Sequence, residues 1–370
     1  MAETMDRTDV LRLRVRAQQL DQPAEAPLKL DDVAILDIGV QDTGPDGGLW
    51  ALALRGVDVR GLSDDALALA WTLRGAPHLY RRRDLASVAA AVQPYSETDA
   101  AKRIFDAAKP LREAGIGILD ALDTVAADMR KIVTKPMVKG DVSTRLTARL
   151  DEPFLRFCRV CNAVHAYELT FRLAALRAGL ELQPGTSPPV LQRIPGFRPA
   201  AKPNPRFDPR FDVVRAYLRL LGPATVKHVA EFLDAPVKEV KAHWPADAVE
   251  VRVDGETRWM LGDDTDPGGV STTRLLGPFD LFLQARDRST LVPDPARAKA
   301  LWPVLGRPGG VLVDGEIVGA WRPRQSGRKL TVLVEPWSRI STPVRRRIGE
   351  EAERLAAFRD SKLAGVELAA

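Results

Sequence analysis

One segment restricts the fold more than any other. Phe211 to Leu221 (FDVVRAYLRLL) has the spacing of an amphipathic helix, Gly222-Pro223-Ala224-Thr225 is a turn ending on a capping Thr, and Val226 to Leu233 (VKHVAEFL) is a second helix. Ala235 to Trp244 (APVKEVKAHW) places Pro at its second position and makes a third. Val249 to Leu261 (VEVRVDGETRWML) then alternates and reverses at Asp254-Gly255, a strong short-range hairpin signal. Three short helices followed by a hairpin follow the winged-helix plan, in which the third helix suits the major groove. Lys238 and Lys241 fall on that helix.

The rest of the chain is read around this anchor. Val10 to Leu20 (VLRLRVRAQQL) mixes apolar residues with arginines and predicts a helix with a basic outer face, and 31–41 predicts a short second helix. DTGPDGG at 42–48 is a loop, LWALALR at 49–55 is a buried strand or helix start, and Ser63 opens a helix ending near Trp71. A helical block is expected from Thr98 to Leu182, with a helix-turn-helix element at 137–150. The Pro-rich stretch 184–210 reads as an inter-domain connector. Beyond the connector 263–269 the pattern turns to strands, with a second Asp-Gly hairpin at 311–321, a strand at 330–334 and a closing helix from Pro343.

The expected class is therefore α+β, with a winged helix at 207–262, a strand-rich region at 270–340 and a C-terminal helix at 343–370. A length of 370 residues accommodates this, since a domain takes about 100–200 residues. No run approaches the apolar length of a membrane span, and the polar start MAETMDRTDV is unlike a secretory leader, so a cytoplasmic, nucleoid-associated protein is expected. The formal net charge of +5 is too small to prove nucleic-acid binding, so clustering has to decide. Basic residues do cluster: at Lys238 and Lys241, at Arg322, Arg324, Arg328 and Lys329 in a turn, at Arg345-Arg346-Arg347, and at Arg74 and Arg81-Arg82-Arg83 around His78. On a winged-helix plan these make a phosphate-tracking surface for double-stranded DNA. The absence of GxxxxGK[ST], of GxGxxG after a strand and of GxSxG removes nucleotide-driven motors, dehydrogenases and esterases, and no cofactor is expected.

Cys158-x-x-Cys161-x-x-x-His165 is the one metal-like spacing. On a helix the three would share a face, but a structural zinc site takes four ligands and neither a third Cys nor a nearby second His exists. No metal is expected.

Several segments in order carry a resemblance. Gly39-Val40-Gln41-Asp42, Leu49-Trp50-Ala51-Leu52-Ala53-Leu54-Arg55 and Arg74-Gly75-Ala76-Pro77-His78-Leu79 are followed far downstream by Gly277-Pro278-Phe279-Asp280, Asp287-Arg288-Ser289, Val311-Leu312-Val313-Asp314-Gly315 and Gly319-Ala320-Trp321-Arg322. Together they resemble bacterial winged-helix DNA-binding proteins that include the AlkZ-like DNA glycosylases. The resemblance implies tandem winged-helix-like units at 1–95, 96–200 and 207–262 with a small C-terminal β-barrel at 270–340, arranged around DNA, and excision of N-alkylated or crosslinked purines. It also implies a catalytic Gln-x-Gln or Gln-x-Asp pair in the first unit.

Gln41 matches the first position of that pair, Thr43 stands at the second, and the nearest carboxylate is Asp42. Hydrolysis of the bond to a cationic alkylpurine needs little acid catalysis, because the base leaves already carrying charge; it needs a placed water and stabilisation of an oxocarbenium-like sugar. A glutamine amide can orient the water and a carboxylate can activate it. Gln41 and Asp42 are thus the catalytic candidates. Two readings stay open: Asp42 substitutes from a shifted backbone, or the chain is a non-catalytic DNA-binding protein, a regulator or repair accessory, that has lost the pair.

Overall fold

The computed structural model describes residues 3–22, 27–44, 46–197, 208–261 and 267–369. The connectors read at 22–27 and 263–269, and the middle of the Pro-rich stretch, fall largely outside them. The chain forms two compact units: Met1–Leu62 with Ala216–His228 and Pro245–Ala370, and Ser63–Arg215 with Val229–Trp244. The class is mixed α+β.

In the first unit, Asp6 and Asp9 form a capping box that starts the helix Arg7–Ala17. Its apolar side packs Val10 and Leu13 on Met5, Val251, Val253 and Met260. The last three belong to the hairpin of Val249–Val253 and Glu256–Met260, whose turn is Asp254 at φ 48° and Gly255 at φ 85°. Strand Glu3–Met5 adds to this hairpin in parallel. Upstream of the hairpin, helices Val213–Leu221, Val226–Leu233 and Val237–Ala242 follow one another along the chain, the last of them in the second unit. The basic outer face expected on the first helix is only partly present. Arg14 is fully buried, its guanidinium on Asp287 at 2.8 Å and on the carbonyls of Gly222 and Pro223. Arg258 reaches the same carboxylate at 2.7 Å. Burial pushes the Asp287 carboxyl up, but these cations more than offset it and hold it below its ordinary value.

The expected barrel does not close. Strands Thr273–Leu276, Gly309–Val313, Glu316–Ser326, Lys329–Pro336 and Lys362–Leu368 lie in that order in an open sheet. The first four are antiparallel neighbours, and the last pairs in parallel with Lys329–Pro336. A parallel pair needs a crossover, and helix Thr342–Phe358 supplies it. That helix packs against both outer strands, Thr273–Leu276 and Lys362–Leu368, so these remain separate edges. The segment read as a terminal helix at 343–370 therefore holds a helix and then a strand.

The second unit has a sheet with Pro77–Arg81, Leu67–Trp71, Leu180–Leu182, Val190–Arg193 and Met137–Val138 in succession, all antiparallel. Helices Glu97–Ile104, Ile118–Ile132, Lys139–Thr147 and Glu168–Arg177 accompany it. The helix read from Ser63 to Trp71 is instead the strand Leu67–Trp71, whose LALAW run is buried at four of five positions; periodicity cannot separate such a strand from a helix. Likewise 31–41 forms two 3-10 turns, Leu30–Asp32 and Ala34–Asp37, and the strand Val40–Gln41 rather than a helix. Cys158 to His165 lies on the hairpin Leu155–Cys158/Ala163–Ala166, not on a helix.

Candidate active site

Gly39, at φ 93°, turns the backbone into Val40–Gln41 where an L side chain would be strained. The loop then runs to helix Gly47–Leu54. Asp42 closes it: its Oδ1 accepts from the Gly48 N–H at 2.7 Å, at the start of that helix, where backbone donors lack helical partners. Gly47 has φ 52°, and a Cβ there would lie 2.0 Å from Asp42 Oδ1, so the contact requires glycine. The Gln41 amide donates through Nε2 to Thr43 Oγ1 at 3.1 Å, joining the two positions of the candidate pair.

Gln41 and Thr43 line a small cavity with Asp46, Gly47, Ala51 and the segment Gly277 to Asp280. Its volume of about 10 Å³ is the scale of one water molecule. Asp46 contributes a carboxylate gripped at both oxygens by Arg359, each at 2.5 Å. Asp42 is not among the lining residues.

The wall of this cavity rests on the anchors that carried the resemblance. Arg55, at the end of LWALALR, and Asp280, at the end of GPFD, are both fully buried and bonded by two contacts at 2.9 and 3.1 Å. Arg55 also donates to the Gln18 and Ala51 carbonyls, so the buried cation is fully occupied. Trp50 Nε1 donates to the Leu275 carbonyl and Trp321 Nε1 to that of Leu276, both at 2.8 Å. These supports were missed as site residues; an Arg closing an apolar helix and an Asp inside the apolar run 277–283 were the available signals.

The basic candidates divide sharply. Lys238 and Lys241 are exposed on Val237–Ala242 in the second unit. Arg322, Arg324, Arg328 and Lys329 are exposed around the turn between Glu316–Ser326 and Lys329–Pro336 in the first unit, with Arg322 on the Gly306 carbonyl and Arg324 paired to Glu367.

Arg74, His78 and Arg81 belong instead to the fabric of the second unit. Arg74 takes φ 56°, bonds the Phe232 carbonyl and stacks 4.6 Å over its ring. His78 and Arg81 are each 2% exposed, which corrects their reading as surface phosphate contacts. His78 Nδ1 lies 3.0 Å from Thr72 Oγ1 and 2.9 Å from the Ala76 carbonyl, and Tyr80 shares the same hydroxyl at 2.9 Å. Burial, with the Arg74 charge, lowers the His78 pKa to about 3, so the ring is neutral. Arg81 pairs with Asp84 at 3.2 Å, and Arg82 with Glu181 at 2.9 Å. Among the described residues no helix is long and apolar enough to cross a membrane.

The fold is similar to a solved structure, the DNA glycosylase AlkZ of Streptomyces sahachiroi, at 20% identity and a TM-score of 0.71, covering 99% of this chain and 100% of that one. No curated protein matches the sequence. The family model for the AlkZ-like DNA glycosylases matches residues 38–358, which takes in the Gln41 loop, the buried Arg55–Asp280 pair and the whole antiparallel part of the open sheet. The chain belongs to the AlkZ-like DNA glycosylase family.

Proposed function

We propose that this DNA-repair glycosylase hydrolyses the N-glycosidic bond of alkylated or crosslinked purines in double-stranded DNA, with Gln41 placing the water. The observation that carries the reading is the cavity of one-water scale bounded by Gln41 and Thr43. The Gln41–Thr43 bond fixes the plane of the amide, so its polar atoms hold one orientation toward a water in that cavity. Thr43 can orient a water but cannot take its proton. For a cationic leaving base that suffices, because departure of the base, not activation of the water, carries most of the reaction. Asp46, neutralised by Arg359 at both oxygens, shapes the cavity wall and does not supply net charge to it. Asp42, held on the helix start, acts as a positioning residue for the loop. The winged-helix reading of 207–262 places Lys238 and Lys241 on a recognition helix, and the turn at 322–329 tracks phosphates.

Thr43 in place of a second Gln or Asp favours the other reading, a DNA-binding protein without excision. Incubating the pure protein with a duplex carrying one N7-alkylguanine, then cleaving at abasic sites, separates the two. Strand breaks at the lesion and none in the undamaged duplex are expected. Binding without breaks would favour the non-catalytic reading.

A further inference from the structure

We propose that Cys158, Cys161 and His165 bind a single zinc-class divalent cation at the tip of the hairpin Leu155–Cys158/Ala163–Ala166. The strands pair Arg156 with His165 and Cys158 with Ala163, so the C-x-x-C spans the turn and the histidine stands on the returning strand. One ligand atom from each of the three lies within 4.8 Å of the others. Ligands bound to zinc at about 2.0–2.3 Å sit within about 4 Å of one another, so small side-chain rotations close the triad.

Both sulfurs are open to solvent on at least one side, Cys161 exposed and Cys158 half-buried, so an ion can reach them. His165 Nδ1 donates to the Ala166 carbonyl at 2.8 Å, which fixes the ring and leaves Nε2 to ligate. Two thiolates neutralise a divalent ion. Glu168 is held by Lys139 at 2.8 Å and Arg172 at 2.6 Å, so the fourth position falls to solvent.

A lone two-stranded hairpin is marginally stable, and this one turns Phe157, Val160 and Val164 outward at 60, 96 and 51% exposure. A metal clip supplies the order that burial does not. The sequence alone placed these three ligands on a helix and found no fourth; the hairpin brings the three together and leaves the fourth position to solvent.

The full-length protein, stripped with chelator and kept reduced, is titrated with Co²⁺. Expected are one Co²⁺ per chain, tetrahedral d–d bands and a thiolate-to-cobalt charge-transfer band, all lost on adding Zn²⁺. Cys158→Ser and Cys161→Ser each weaken binding and about halve the charge-transfer band, the double variant removes it, and His165→Asn weakens binding at least about tenfold. Circular dichroism matching wild type keeps these losses assignable to ligation, since the hairpin is peripheral to both cores. The proposal is overturned by an octahedral spectrum without charge transfer, by cobalt binding retained in the double serine variant, or by no uptake at excess Co²⁺ with free thiols confirmed.

Discussion

The loop 40–48 and the segment 74–83 are equally dense in groups that suit DNA chemistry, and the fold uses them in opposite ways. In the loop, an amide and a hydroxyl border a cavity while the carboxylate beside them caps a helix. In the other segment a histidine and an arginine are buried against partners of their own unit. The lesson concerns charge. A buried cation with a carboxylate or carbonyls around it is part of the fold, and sequence composition cannot distinguish it from one that waits for phosphate.

The sharpest break of this comparison is at Arg55. Replacing it with Met leaves Asp280 buried and unpaired behind the Gln41 cavity, and a loss of about 3–5 kcal/mol in denaturant unfolding is expected. A loss below about 1 kcal/mol would mean that water reaches this carboxylate and that the wall of the site is soft.

A smaller effect sharpens the other side. The His78 pKa is depressed in the folded state, to about 3 from 6.5, so the unfolded chain takes up its proton first as pH falls. The stability from the neutral ring is present above pH 6.5 and is lost progressively below it. Between pH 7 and pH 5 this removes about 2 kcal/mol, and His78→Gln should flatten that part of the stability profile. An unchanged slope in the variant would place His78 in contact with solvent.

The smallest effects belong to single phosphate contacts. Lys238→Ala and Lys241→Ala should each lower the slope of log affinity against log salt by about one unit. Arg324→Ala should change it less than Arg328→Ala, because Glu367 already neutralises Arg324. Slopes unaffected by all four would remove both surfaces from the DNA interface.

Legibility in the sequence followed the range of the forces involved. The hairpin at 249–260 was readable because Asp254-Gly255 must take positive φ, a local requirement. The strand Leu67–Trp71 was not, because an apolar run buried on both faces has no period. The barrel failed on a non-local choice: Lys362–Leu368 pairs in parallel across a whole helix, which no residue nearby announces. Arg14 looked like part of a basic face because its partner Asp287 is distant in sequence. Gln41 was visible only through resemblance; nothing in its own neighbourhood separates a catalytic amide from a loop residue. The C-x-x-C-x-x-x-H spacing was plain, but its hairpin was hidden because the turn lacks glycine and uses Asn162 at φ 49°.

The central claim is that Gln41 serves the reaction and Asp42 serves the loop, and single-turnover excision on a duplex with one N7-alkylguanine tests it directly. Gln41→Ala should lose at least about 100-fold in rate with DNA affinity unchanged. Asp42→Asn should keep most of the rate, because an amide oxygen can still accept from Gly48. Thr43→Asp should exceed wild type by adding negative charge beside the developing oxocarbenium. Equal rates for Gln41→Ala and wild type, or near-complete loss in Asp42→Asn in a protein that still melts normally, would contradict this assignment.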